Sequence, residues 1–196
     1  MNRDAALPTR RLESGTSIAH AQPWQTDPVT LDSPALAVTT DLTQVKAAMI
    51  GPAATIAQAE QTMIVQGVRM LFVVSQAPAI EGLITANDLR GERVLRVVQQ
   101  RGVRHDEITV ADVMSALEML EAIEYDVLAK ARVGNLVATL KKHGRNHLLV
   151  VDGGAAGAAQ RVRGVISRAQ IERQLGQPVD VVEVANTFAE LGQMLG

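Results

Sequence analysis

The sequence predicts an α/β (α+β) fold in which one β-α-β-β-α unit occurs twice, with the two copies packed through their sheets about a pseudo-two-fold axis. Segment 82–89 (GLITANDL) matches segment 164–171 (GVISRAQI), and segment 67–74 (GVRMLFVV) matches segment 144–151 (GRNHLLVV). The second copy is longer by a small, Gly-rich stretch, 153–160, as a tolerated loop insertion should be. A repeat of this length is one supersecondary unit that buries its apolar face on its copy.

The composition fits this fold and argues against several classes of protein. Of the 196 residues 47% are hydrophobic but only 2% aromatic, so the core is built from Ala, Val, Leu, Ile and Met, as suits short buried strands. A net charge of -2 argues against a broad grip on nucleic acid or an anionic membrane. There is no cysteine, no apolar stretch of about 20 residues and no secretory h-region, so we expect a soluble, cytoplasmic protein.

The two ends of the chain differ in character from the repeats. Residues 1–30 are polar and proline-containing, which predicts a mobile N-terminal extension, anchored at Trp24. Segment 36–40 (LAVTT) predicts a short strand or a lead-in to the first unit. At the other end, 178–196 predicts a C-terminal helix, because apolar residues from Val181 to Leu195 recur on one stripe. Its expected role is packing against the repeats or a second subunit.

Within the first unit, apolar residues at helical spacing predict a helix over 55–66 that ends at Gly67, a residue suited to a helix C-terminus. Strands are predicted at 71–74 and 80–84, separated by a turn at Pro78, and Thr85 is predicted to open a helix that runs toward Gln100. The second unit repeats this order. Its predicted elements are a lead-in at 109–114, a helix at 133–143 closed by Gly144, strands at 148–151 and 162–166, and a helix from Ser167 to Leu175.

This order of elements resembles the CBS-domain family, named after cystathionine β-synthase. The resemblance rests on the helix, the glycine, the apolar strand and the second strand with its Gly-apolar-apolar-Thr/Ser-x-x-Asp-apolar sequence, and it covers about 31–176. Segment 110–114 (VADVM) also looks like the family's lead-in, whereas 36–40 shows no counterpart to it. On this basis the two units span 31–104 and 105–177.

The resemblance implies a regulatory module that binds an adenosine-containing ligand, namely AMP, ADP, ATP or S-adenosylmethionine, in a cleft between the repeats. It also implies a homodimer that acts on a separate protein partner. Thr85 and Asp88 match the positions that contact phosphate and ribose in the family, and Ser167 is an acceptable substitute for the threonine. Gln170 replaces the second aspartate, so the resemblance predicts one competent site rather than two.

The chemistry of these residues fits that role. Thr85, at the start of the predicted helix, offers a hydroxyl and free N–H groups to a phosphate oxygen, and the helix dipole favours the anion. Asp88 has two acceptor oxygens for the ribose hydroxyls, whereas an uncharged Gln170 holds a ribose less firmly. The residues expected near adenine are Val38, Thr39, Thr40, Met70 and Leu83. The arginines expected to neutralise phosphates are Arg69, Arg163 and Arg168.

A structural interpretation of the same residues stays open. Thr85-x-x-Asp88 and Ser167-x-x-Gln170 both fit the capping box, in which a hydroxyl caps a helix and the side chain three residues on reaches back. Such a cap contributes about 0.5–2 kcal/mol and requires no ligand. On this hypothesis the repeats form a ligand-free dimerisation module.

No other group of residues predicts catalysis, and we expect no enzyme. Segment 105–107 (HDE) is expected to be a solvated loop, and the acidic residues of 118–126 an exposed face. His143 and His147 lie on either side of Gly144, so they do not form the one-faced pair of a helical zinc site. The sequence contains no nucleophile elbow, P-loop or His-Glu-x-x-His pattern. Turnover of a bound nucleotide would be needed to revive the hypothesis of an enzyme.

Overall fold

The computed structural model describes residues 27–77, 79–153 and 159–181. The predicted N-terminal extension up to residue 26 with Trp24, the turn at Pro78 and the predicted C-terminal helix after Val181 lie outside these residues. The strands are β1 (Thr39–Asp41), β2 (Met49–Ile50), β3 (Met70–Val73), β4 (Gly82–Thr85), β5 (Ser115–Ala116), β6 (Ala122–Glu124), β7 (His147–Asp152) and β8 (Arg161–Ser167). The helices are α1 (Ile56–Gln66), α2 (Glu92–Arg101), α3 (Val110–Val113), α4 (Tyr125–Leu128), α5 (Val133–His143) and α6 (Arg168–Leu175).

The two sheets have the same topology, which confirms the predicted duplication and the α/β fold. One sheet has the order β2-β3-β4-β5, and the other has the order β6-β7-β8-β1. In each, the first pair is parallel and the next two pairs are antiparallel. Two short elements of this pattern, β2 and β6, were not predicted, because strands of two or three residues carry too little periodicity.

Each unit donates its first strand to the sheet of the other. Strand β5 pairs with β4, so that Ala116 lies opposite Gly82, and β1 pairs with β8, so that Asp41 lies opposite Gly164. A 3₁₀ turn, Ala35–Val38, leads into β1 as α3 leads into β5. The inference that 36–40 has no counterpart to the second lead-in is therefore wrong. Segment 36–40 leads into the strand that pairs with β8, just as the second lead-in leads into the strand that pairs with β4, so the two segments are equivalent.

Two predicted helices and their glycine ends are confirmed. Helix α1 is capped by Thr55, whose hydroxyl accepts the Gln58 N–H while the Gln58 side chain accepts the Thr55 N–H. Gly67 and Gly144 end α1 and α5 with φ angles of 65° and 59°, in the left-handed region that only glycine adopts at low cost.

The helix predicted to start at Thr85 starts instead at Glu92, and consecutive turns occupy 86–90, followed by a bend at Gly91. The reason is local. The Asp88 carboxylate accepts hydrogen bonds from the Thr85 backbone and hydroxyl, which closes a tight turn at this point. Gly91 then adopts an extended conformation as the residue before the helix. In the second unit, α6 does start directly after Ser167 and ends at Gly176, as predicted.

Three apolar clusters form the core. The first packs α5 and α6 on the β7–β8 side, and the second packs α1, α2 and α3 on the β3–β4 side. The third, made of Met70, Phe72, Leu83 and Leu149, contains residues of both sheets. In the part of the chain that the structure describes, no helix combines the length and apolarity needed to cross a membrane.

Candidate functional site

The main cavity of the described residues, about 570 Å³, lies where β4 and β8 end. Its walls include both copies of the repeated motif, 85–88 from the first unit and 167–169 from the second. Cavities of about 300–1,000 Å³ are typical of small-molecule sites. The fold therefore brings these two segments, 85–88 and 167–169, to one cleft although they lie far apart in the sequence. We refer to them as the first and second motif ends.

The first motif end is a closed turn. The Thr85 N–H and hydroxyl donate to Asp88 Oδ2 at 2.8 and 2.7 Å, and the Asp88 N–H lies 3.4 Å from the Thr85 hydroxyl oxygen. These reciprocal bonds are those of the capping box, although they close a turn rather than cap a regular helix. The second carboxylate oxygen, Oδ1, lies 4.0 Å from the Arg93 guanidinium at the cavity wall. The structural bond and a ligand contact can thus use different oxygens of Asp88.

Arg93 ties this turn to the lead-in of the second unit. Its guanidinium donates to the carbonyl oxygens of Val113 and Met114 at 3.2 Å and to the Ser115 hydroxyl at 3.1 Å. Ser115 also lines the cavity. Because β5 pairs with β4, the lead-in beside Asp88 comes from the second unit and not from 36–40.

The second motif end differs from the first. Ser167 makes no side-chain cap, and the Gln170 Oε1 atom accepts instead from the Thr40 hydroxyl at 3.2 Å. The capping box predicted for Ser167 and Gln170 is therefore wrong. Gln170 does not line the cavity, whereas Ser167 and Arg168 do.

The cavity is rich in positive charge. Five arginines line it, Arg69, Arg93, Arg96, Arg145 and Arg168, against three carboxylates, Asp88, Glu92 and Glu172. Arg145 lies 3.6 Å from Glu121, and Arg168 lies 3.6 Å from Glu172. Arg69 and Arg96 form no ion pair with any residue that the structure describes. A cleft with this excess of cations attracts an anion.

His147 is a cavity residue that the sequence analysis considered only as a metal ligand. It is partly buried at the start of β7, opposite Ser167, in the register position that Met70 holds opposite Thr85. Burial, followed by the charges of the nearby Arg69 and Arg168, lowers the pKa of His147 to about 4. The imidazole is therefore neutral at pH 7. Aligning the two units would have found it, because the register places it beside the motif serine.

Four of the residues predicted to contact adenine lie elsewhere, which corrects that prediction. Val38 is fully buried in the core of the second sheet, and Met70 is buried between the sheets. Thr40 bonds to Gln170, and Thr39 lines a separate cavity of about 290 Å³. For Val38, Thr39 and Thr40 the cause is the exchange of lead-in strands, which moves β1 to the second sheet, whereas Met70 lies on β3 and packs between the sheets. Leu83 does line the main cavity, together with Leu120.

The remaining candidates lie outside the main cavity. The Arg163 guanidinium lies 3.6 Å from the centroid of the Tyr125 ring and 3.7 Å from Asp41, so this arginine does not reach the motif ends. The HDE segment forms an exposed 3₁₀ turn, and the acidic residues of 118–126 are exposed, both as predicted. His143 lies 3.6 Å from Glu121, and the described residues contain no cluster that could hold a metal ion.

Comparison with solved structures identifies the fold. CBSX2 of Arabidopsis thaliana, solved in complex with AMP, matches 72% of this chain and 94% of its own with a TM-score of 0.50 and 16% identity. A CBS-domain protein of Agrobacterium tumefaciens matches 67% of this chain and 93% of its own with a TM-score of 0.50 and 17% identity. A conserved protein of Pyrococcus horikoshii matches 78% and 99% with a TM-score of 0.52 and 16% identity.

Comparisons of the sequence with family models and with curated proteins find no match. The structural likenesses nevertheless agree with the duplicated topology. The chain has the fold of a CBS-domain pair protein.

Proposed function

We propose that the chain is a regulatory module that binds an adenosine-containing phosphate ligand in the cleft between its two units and acts on a separate protein partner. The observation that supports this most strongly is the unpaired positive charge of a cavity that both motif ends line. The fold is shared with CBSX2, which was solved with AMP bound, and this likeness supports the same ligand class here.

The proposed roles follow from the contacts. The Oδ1 atom of Asp88 accepts a ribose hydroxyl while Oδ2 keeps the turn closed. Adenine packs on the apolar side chains of Leu83 and Leu120. Arg69 and Arg168, from different units, receive the phosphate, because guanidinium groups form strong, directed hydrogen bonds with phosphate oxygens.

The charge of the cavity favours a nucleotide over S-adenosylmethionine. The sulfonium of that compound is a cation, and it would enter a cavity where arginines outnumber carboxylates by five to three. Like charges at close range are repelled. AMP, ADP and ATP carry the opposite charge, so we propose these as the ligand class.

Regulation requires that the ligand favour one arrangement of the units over another. A phosphate held by Arg69 of the first unit and Arg168 of the second would stabilise the arrangement in which both arginines line one cleft. We keep the proposed units as 31–104 and 105–177, with a homodimer in the cytoplasm as the expected assembly. The proposal includes no catalytic step.

Thermal unfolding in the presence of AMP, ADP, ATP, S-adenosylmethionine and NADH tests this function. A ligand at about 100 times its dissociation constant adds roughly 2.7 kcal/mol of stability, which raises the melting temperature by several degrees. We expect such a shift with the adenine nucleotides for the wild type and a much smaller one for Asp88→Asn, which keeps one side-chain oxygen to accept the Thr85 bonds.

The matched control is Asp106→Asn, which removes an exposed carboxylate outside the cavity and should leave the ligand shift intact. The alternative of a ligand-free dimerisation module is favoured by one observation, the complete set of internal bonds between Thr85 and Asp88. If no nucleotide stabilises the wild type at millimolar concentration, that alternative replaces our proposal.

A further inference from the structure

His147 is placed where the charge of a bound phosphate would act on it. The imidazole lies at the cavity wall opposite Ser167, and Arg69 of the first unit and Arg168 of the second line the same cavity. The other charged groups that line the cavity are Arg93, Arg96, Arg145, Asp88, Glu92 and Glu172. The histidine therefore faces an excess of positive charge from both units.

Without an anion this surrounding holds the imidazole neutral. Burial and the two guanidinium groups lower the pKa of His147 to about 4, well below its ordinary value of 6.5. A dianion placed between Arg69 and Arg168 would have the opposite effect, because a nearby opposite charge favours the protonated form of histidine. The same two arginines would keep the phosphate itself in its dianionic form.

We propose that His147 takes up a proton from solvent when a terminal phosphate dianion binds between Arg69 and Arg168, and that this makes the cleft selective for phosphomonoesters over phosphodiesters. The inference rests on the proposed function, since it concerns the same cleft. The proton binds an imidazole nitrogen, and the resulting imidazolium pairs with the second negative charge of the phosphate. No covalent bond forms or breaks.

The selectivity follows from counting charges. A phosphomonoester carries about -1.5 to -2 near pH 7, with its second ionisation near pH 6. A cyclic phosphodiester carries a single negative charge, which exerts a weaker pull on a proton at His147. As the pH falls toward 6, the affinity of the wild type for the monoester should therefore rise relative to that of a variant without His147, and the affinity for the diester should change less. One proton taken up changes a dissociation constant by up to about tenfold per pH unit.

Calorimetric titration with AMP and with 3′,5′-cyclic AMP tests this inference. The titrations are made at pH 6 and 7.5, each in two buffers of different ionisation enthalpy, so that proton uptake is measured directly. AMP that binds as the dianion releases part of its own second proton at pH 6, so for the wild type we expect a net uptake that exceeds that of a His147 variant, and little uptake with cyclic AMP. For His147→Gln we expect the uptake with AMP to fall and the preference for AMP over cyclic AMP at pH 6 to drop by about tenfold.

The ionisation of AMP itself contributes equally to both proteins, so the difference between them isolates His147. A second variant, His147→Met, guards against misfolding, because methionine occupies the equivalent register position in the first unit at Met70. Equal proton uptake by the wild type and both variants, with AMP bound to all three, would overturn the role of His147 and leave the proposed function intact. Failure of the wild type to bind AMP at either pH would overturn the proposed function as well.

Discussion

Replacing Arg69 by glutamine is expected to weaken AMP binding by about tenfold to a hundredfold while leaving the melting temperature unchanged or raised. A hydrogen bond to a charged group is worth about 1.5–3 kcal/mol, which corresponds to that range of affinity. Arg69 is exposed, forms no ion pair with the described residues, and lowers the pKa of His147. Its removal therefore breaks no ion pair among the described residues and relieves repulsion between cations in the cleft.

Titration calorimetry and thermal unfolding of the same samples measure both effects. Arg104→Gln serves as the control, because Arg104 is exposed, pairs with Asp106 and does not line the cavity. It should leave AMP affinity unchanged. An Arg69→Gln protein that binds AMP like the wild type would remove Arg69 from the phosphate site, and one that melts well below the wild type would show that Arg69 has a structural role.

Gly82→Ala is expected to destabilise the protein by about 3 kcal/mol, and Gly164→Ala by about 1 kcal/mol. These glycines hold the same place in the two motifs, where a lead-in strand crosses from the other unit. A Cβ on Gly82 would overlap the Ser115 carbonyl oxygen and lie 3.1 Å from the Met114 sulfur. A Cβ on Gly164 would lie 3.1 Å from the Thr39 methyl group and the Thr40 carbonyl oxygen, which a small shift relieves.

Thermal or urea unfolding of the two variants measures the difference. The order of the two losses of stability is a stronger test than their absolute sizes, because both glycines hold the same motif position and pair with a lead-in strand of the other unit. A Gly164→Ala protein that is less stable than Gly82→Ala would contradict the close approach of β5 to β4. Since Ser115 also lines the cavity, Gly82→Ala should weaken AMP binding as well, whereas Gly164→Ala should not.

The sequence was sufficient to predict the parts of the fold that depend on local signals. Helices α1 and α5 have apolar spacing and a terminal glycine, and both lie where they were predicted. Strands β3, β4, β7 and β8 are apolar runs, and they too lie where the sequence predicted strands. The duplication gave the number and order of the units, because a repeated pattern needs no knowledge of long-range contacts.

The errors arose where a long-range contact decides the outcome. The exchange of β1 and β5 between sheets depends on pairing across the whole chain, so Thr39 and Thr40 were assigned to the wrong side of the molecule. Gln170 was expected to cap its own helix but bonds to Thr40, which the same exchange brings beside it. The delayed start of α2 is a local error, because the bonds between Thr85 and Asp88 also fit a turn that no helix continues.

The candidate site was predicted in part. Thr85, Asp88, Leu83, Ser167, Arg69 and Arg168 do line one cavity. His147, Arg93 and Ser115 were not assigned to it, because they reach the cleft through sheet register and through the lead-in of the other unit. Aligning the two units residue by residue would have predicted His147, but Arg93 requires the tertiary fold.

Titration calorimetry of the wild-type chain with AMP at pH 7 measures how many AMP molecules bind to each chain. Both motif ends line one cavity, and Gln170 bonds to Thr40 outside it, so we predict saturable binding of one AMP per chain. Two equivalent sites per chain would contradict the asymmetry between the motif ends. No saturable binding at millimolar AMP would show that the cleft is not a nucleotide site.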